Sequence, residues 1–143
     1  MKTLASLTSG LISSIALTLM HQALKNNVSD APRMDKLGMQ ALKKAGVDAG
    51  SKENQYYTAM AGDIAGNAGY YSMVGKYPEY SVLAGAALGA MAGIGAITLP
   101  EKMGLKKKYS GATTKTKWLT LGLYVSAGLI AGAVHKFMDK RFK

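Results

Sequence analysis

Ionised side chains are excluded from long stretches of this chain, and that exclusion constrains its fold more than any other feature. Thr3–Leu24, Tyr80–Pro100 and Trp118–His135 contain no Asp, Glu, Lys or Arg, and Asn54–Gly75 contains one, Asp63. A bilayer core about 30 Å thick is crossed by roughly 20 largely apolar helical residues. Each stretch meets that length. The expectation is an all-α protein, a four-transmembrane-helix bundle forming one integral membrane domain over 1–143, with helices at 3–24, 52–75, 80–99 and 118–138. An amphipathic interfacial helix at 32–45 lies between the first and second.

Composition narrows the function classes. Lys and Arg number 18 against 8 Asp and Glu, a formal net charge of +10. Such a balance fits a nucleic-acid binder in general. Here the basic residues sit at the ends of the apolar stretches without interleaved aromatics for stacking, so no nucleic-acid partner is expected. The mean hydropathy is only +0.04, because Gly and Ala replace Leu and Ile in the second and third stretches and basic loops dilute the rest. With no cysteine, disulfides, iron–sulfur clusters and thiolate metal sites are excluded. There is no P-loop, GxSxG or HExxH motif, and the longest segment between stretches, Lys25–Glu53, is too short for a soluble catalytic domain. The chain is expected to be non-enzymatic, with no cofactor and no metal.

Local signals set the expected boundaries. Lys2 before an apolar run resembles an export signal, but the run is long and lacks a well-placed small-x-small cleavage pattern, which favours a retained helix. Ser6, Ser9, Ser13 and Ser14 can bond back along that helix or across to neighbours. Ser29 or Asp30 can cap a following helix with Pro32 in its first turn. That helix places Met34, Leu37, Gly38 and Ala41 on one side and most of its lysines on the other, which suits the lipid interface or packing on the bundle. Tyr56 and Tyr57 at one end of the second stretch, and Tyr70, Tyr71 and Tyr77 at the other, read as an aromatic belt. Pro100 is expected to close the third helix. Lys and Arg concentrate in the first and third connections, which places both in the cytoplasm and the termini opposite. The basic tail Lys136–Lys143 pulls the other way.

Several residues stand out as candidates. Gly62, Gly66 and Gly69 share a face of the second helix. Gly85, Gly89 and Gly93 do so in the third, and Gly128 and Gly132 in the fourth. Small residues four apart let helices approach closely in lipid, either inside the bundle or against another subunit. Asp63 is a carboxylate near the middle of a crossing helix, where it is costly unless it faces protein or a cavity. It shares a stripe with Tyr56, Met60, Asn67 and Tyr70. It is either structural, protonated or bonded to Asn67, a helix 1 serine or a tyrosine hydroxyl, or it is a proton or cation site or a buried contact with a partner. His21, near an interface, is a hydrogen-bonding group. A haem held with His135 is disfavoured, because the two histidines fall at opposite ends. Lys106, Lys107 and Lys108 are candidate contacts for lipid headgroups.

His21-Gln22-Ala23-Leu24 and Asp30-Ala31-Pro32-Arg33-Met34-Asp35-Lys36-Leu37-Gly38-Met39 resemble small uncharacterised multi-pass membrane proteins of bacteria. The resemblance implies a bacterial inner (cytoplasmic) membrane location and brings no activity with it. The expected role is that of a structural or accessory membrane protein whose partners are membrane lipids and other membrane subunits or further copies of itself. The alternative is a small channel or transporter with a polar path at Asp63 and Asn67.

Overall fold

The computed structural model describes residues 2–142. Among them there is no strand. Six helices follow in order: α1 (Lys2–Asn27), α2 (Met34–Lys44), α3 (Lys52–Tyr71), α4 (Ser81–Lys102), α5 (Lys108–Gly111) and α6 (Thr114–Arg141), with short 3-10 turns at Ser72–Lys76 and Pro78–Tyr80 joining α3 to α4. Three segments are long and apolar enough to cross a membrane: Lys2–Asn27, Pro78–Lys102 and Thr114–Arg141. The helix α3 falls short of them in apolar character.

The packing is inverted relative to a water-soluble core. Ser9, Ser13, Thr116, Thr120 and His135 are buried, whereas Leu4, Leu83 and Trp118 are 65%, 69% and 68% exposed. In lipid there is little to gain from burying large apolar side chains between helices. Close packing and interhelical hydrogen bonds drive association instead. The outward faces of α1, α4 and α6 fit a lipid environment. The outward face of α3 does not share this character: apart from Tyr57, its exposed residues are small or polar, among them Thr58, Gly62, Asp63, Gly66 and Gly69.

The four long helices form an open arc in the order α3, α1, α6, α4. The tightest contact is between α4 and α6. A β-carbon built on Gly85 would lie 2.9 Å from the carbonyl carbon of Gly128; one on Gly89, 2.7 Å from Val125 Cα; and one on Gly93, 2.9 Å from Leu121 Cδ1. From the other side, a β-carbon on Gly128 would lie 2.8 Å from the carbonyl carbon of Gly85, and one on Gly132 would meet Ser81 and Val82. The Ser81 hydroxyl donates to the Gly132 carbonyl at 3.0 Å. Serines join the other helices: Ser13 Oγ donates to Ala127 O of α6 at 2.6 Å, and Ser14 Oγ to Ile64 O of α3 at 2.7 Å.

Several boundaries differ from those read in the sequence. The second helix starts at Met34 without a side-chain cap. Asp30 is in the left-handed region (φ 61°), and its carbonyl accepts from Thr116 Oγ1 at 2.8 Å, so it serves a turn and not a cap. Pro100 lies inside α4. The stop comes at Gly104, φ 74°, where Met103, Gly104 and Leu105 N–H groups close back on the last carbonyls. The sixth helix starts earlier than expected because Thr113 and Thr116 form a reciprocal capping box. Tyr71 is fully buried and donates to Tyr124 O at 2.8 Å. It is a packing anchor and not part of an aromatic belt.

The helix α2 packs on α3 and α5. The connection before it and α2 itself are laced to the α4–α6 connection: Arg33 N–H donates to Tyr109 O at 2.6 Å, Lys106 N–H to Gln40 Oε1 at 2.9 Å, and Lys44 Nζ to Met103 O. Both basic connections thus lie at one end of the molecule.

Because Gly89 admits no side chain, Gly89→Leu is expected to separate α4 from α6, with a loss of at least ~1–3 kcal/mol from overpacking. Gly122→Leu, at a position with nothing within 4 Å of an added β-carbon, is the control. Thermal unfolding in detergent compares the two.

Candidate functional site

The polar stripe of α3 is divided between two spaces. Towards α1 and α6, Tyr56, Met60 and Asp63 face a cavity of about 40 Å³ that is also lined by Thr18, His21, Gln22 and Tyr124. Towards α4, Asp63, Asn67 and Tyr70 face a groove of about 520 Å³. Met34, Asp63 and Tyr124 line both.

Asp63 is bonded within its own helix. Asn67 Nδ2 donates to Asp63 Oδ1 at 3.0 Å and to Asp63 O at 3.0 Å. The other partners expected for it are engaged elsewhere. Ser14 bonds Ile64 O, Tyr70 Oη donates to Leu88 O at 2.7 Å, and Tyr71 bonds Tyr124 O. None of the ion pairs among the described residues involves Asp63.

At the end of the cavity nearest α2, a charged cluster completes the wall. Arg33 holds Asp35 with a fork, Nε to Oδ1 at 3.1 Å and Nη2 to Oδ2 at 2.9 Å. Lys25 Nζ lies 3.6 Å from Oδ2 and 5.6 Å from the centre of the Tyr56 ring. Burial pushes the Asp35 carboxyl up. The Arg33 hydrogen bonds, the charges of Lys25 and Arg33 and the Lys36 N–H outweigh it and hold the group at about 2, below the usual 3.8. His21 Nε2 lies 2.9 Å from Pro32 O and 3.3 Å from Met34 N. As an N–H donor it satisfies Pro32 O; in the other tautomer it accepts from the first turn of α2. Either way His21 fixes the entry to α2. His135 lies at the opposite end, 3.5 Å from Ser6 Oγ.

The remaining candidates divide. Gly85, Gly89, Gly93, Gly128 and Gly132 lie in the α4–α6 contact. Gly62, Gly66 and Gly69 have nothing within 4 Å of an added β-carbon, so no helix of this chain closes on that face. The close approach of α1 to α3 uses Gly10 instead, where a β-carbon would lie 2.8 Å from Ser72 N. Gly10 went unmarked in the sequence because its small neighbours are serines, although Ser6, Ser9, Ser13 and Ser14 surround it. Lys106 lies in the α4–α6 connection, Lys107 Nζ reaches Glu101 at 3.4 Å, and Lys108 Nζ lies 5.5 Å from the Tyr109 ring centre. No group of three or more His, Asp or Glu with metal-holding geometry occurs among the described residues.

No family model, curated protein or solved structure matches this chain. Among the described residues, fold and packing define an all-helical protein with three helices long and apolar enough to cross a membrane.

The Asp35 cluster carries a pH signature. A carboxyl lowered from 3.8 to about 2 contributes stability that is complete above pH 3.8 and is lost as the pH falls through about 2. The difference in unfolding midpoint between the native chain and Asp35→Asn should therefore be constant above pH 4 and shrink towards zero near pH 2.

Proposed function

We propose that this chain is a non-enzymatic structural or accessory subunit of a bacterial inner membrane, with α3 as a fourth crossing and a partner helix covering its glycine face. The observation that carries the reading is the asymmetry of the small-residue faces. The glycines of α4 and α6 are consumed inside the chain, whereas Gly62, Gly66 and Gly69 stand open. An α3 facing lipid would expose small and polar residues to hydrocarbon at little gain in packing. Against a second helix the same face permits close approach. The occupant is a further copy of this chain or another membrane subunit. The basic end, including Lys106, Lys107 and Lys108, faces the cytoplasm against anionic headgroups, each base near the surface contributing about 1 kcal/mol. The four-crossing topology also suits the shared location of the two basic connections.

A second reading is a small channel or transporter. It is favoured by Asp63 lining both the cavity and the groove, which makes the Asp63–Asn67 pair a junction between two spaces.

Two measurements test the proposal. The chain has no cysteine, so single cysteines at Ser51 and Tyr77 can be labelled from each side of the membrane. A crossing α3 gives labelling from opposite sides; labelling from one side removes the fourth crossing. In gently solubilised membranes the native particle is expected to be larger than one chain. Gly66→Leu should reduce it to the single chain while leaving unfolding unchanged. A particle of one chain in the native protein, or one unaltered by Gly66→Leu, counts against assembly through α3.

A further inference from the structure

We propose that the groove between α3 and α4 is a binding site for a small amphiphilic cation, an apolar body bearing an ammonium or similar positive centre, held by the Asp63 carboxylate. The groove exists because α3 and α4, consecutive in the chain, scarcely pack on each other above their connecting turn. Its volume of about 520 Å³ falls within the ~300–1,000 Å³ usual for small-ligand sites. Tyr70 Oη bonded to Leu88 O lies towards the turn, and Leu37, Pro100 and Leu105 line the part under α2. The groove is open along its side, so its chemistry and not its shape selects the occupant.

The lining selects the chemistry. Ala41, Ala92, Gly95 and Ala96 with Met91 and Leu99 supply apolar walls. The polar pair stands on the α3 side of the groove, where Oδ1 of the exposed Asp63 accepts from Asn67. No Lys, Arg or His lines the groove, and Asp63 is in none of the ion pairs among the described residues. An intramembrane carboxylate is costly unless it meets a partner, in a chain whose net charge is +10. A single carboxylate is a poor divalent-metal site, whereas a bulky monocation needs one counter-charge and apolar walls. A lipid amine is the wrong source. Asp63 stands near the middle of α3 (Lys52–Tyr71), well below the headgroup level if α3 crosses. This depth argument rests on the four-crossing reading, which the labelling experiment tests without any ligand.

The probe is radiolabelled tetraphenylphosphonium, measured by equilibrium dialysis against the full chain in phosphatidylcholine nanodiscs, with empty discs subtracted. The expected result is saturable binding of about one cation per chain, with neutral triphenylphosphine oxide failing to compete. Asp63→Asn should weaken binding at least tenfold. Gly95→Leu fills the groove away from Asp63, and its β-carbon meets only Leu99 Cδ1 at an ordinary 3.5 Å; it should abolish binding in a folded protein. Gly122→Leu, outside the groove, should bind as the native chain does. Absence of saturable binding to the native chain overturns the proposal. So does native affinity in Asp63→Asn, which would leave only partition into an apolar space, or native affinity in Gly95→Leu. If Asp63→Asn fails to fold, Gly95→Leu still decides the location and the neutral competitor still decides the charge requirement. Same-side labelling of Ser51 and Tyr77 with cation binding intact would remove the fourth crossing and keep the site.

Discussion

The structure depends on the approach of two helix backbones, α4 and α6, along Gly85, Gly89, Gly93, Gly128 and Gly132. At Gly85, Gly89, Gly128 and Gly132 no side chain separates the helices, so carbonyl oxygens and α-carbons of one lie against the other. Dispersion between many atoms at short range replaces the burial of large apolar groups. Once α4 and α6 are joined, the other face of α6 is free to receive α1 through Ser13 and Ala127, and α1 in turn holds α3 through Gly10 and Ser14. The arc is built outward from one tight pair.

An arc has two ends, and here they are the helices that the turn at Ser72–Tyr80 joins. Tyr71 and Val74, both fully buried, seat that turn against the core. Tyr71 reaches the Tyr124 carbonyl of α6 and Tyr70 reaches Leu88 of α4. Beyond the tyrosines nothing draws α3 onto α4, because the α3 side presents Asp63 and Asn67. The polar pair thus stands at the margin of a cleft. At the other end of the cleft, α2 is tied down by His21, Arg33, Gln40 and Lys44, so its apolar side roofs the opening.

Much of the candidate site was legible along the chain. The stripe of Tyr56, Met60, Asp63, Asn67 and Tyr70 follows helical spacing, and the Asp63–Asn67 bond is a local i to i+4 contact. Both needed only the helix. The glycines of α4 and α6 were legible for the same reason. What could not be read was the neighbour each face would meet. Gly62, Gly66 and Gly69 carry the same spacing as Gly85, Gly89 and Gly93, yet no helix of this chain covers them, while Gly10, alone among serines, is pressed against α3. Nor did Arg33 and Asp35, two residues apart, announce that Lys25 and Tyr56 would join them.

The sequence by itself determined where the long helices lie and that three of them suit lipid, because length and exclusion of charge are properties of consecutive positions. It counted α3 as a fourth, although that helix falls short in apolar character, and left α5 unmarked. It also marked the glycines of α4 and α6 as faces suited to close approach, while Leu17, Leu123 and Tyr124 are buried beside the small residues. The tertiary structure alone decided that the helices form an open arc, which glycine faces are spent within the chain, and that Asp63 lies between a cavity and a groove. Those outcomes turn on which backbones approach within a few ångströms, and a repeat of small residues states that an approach is possible without naming the helix that makes it.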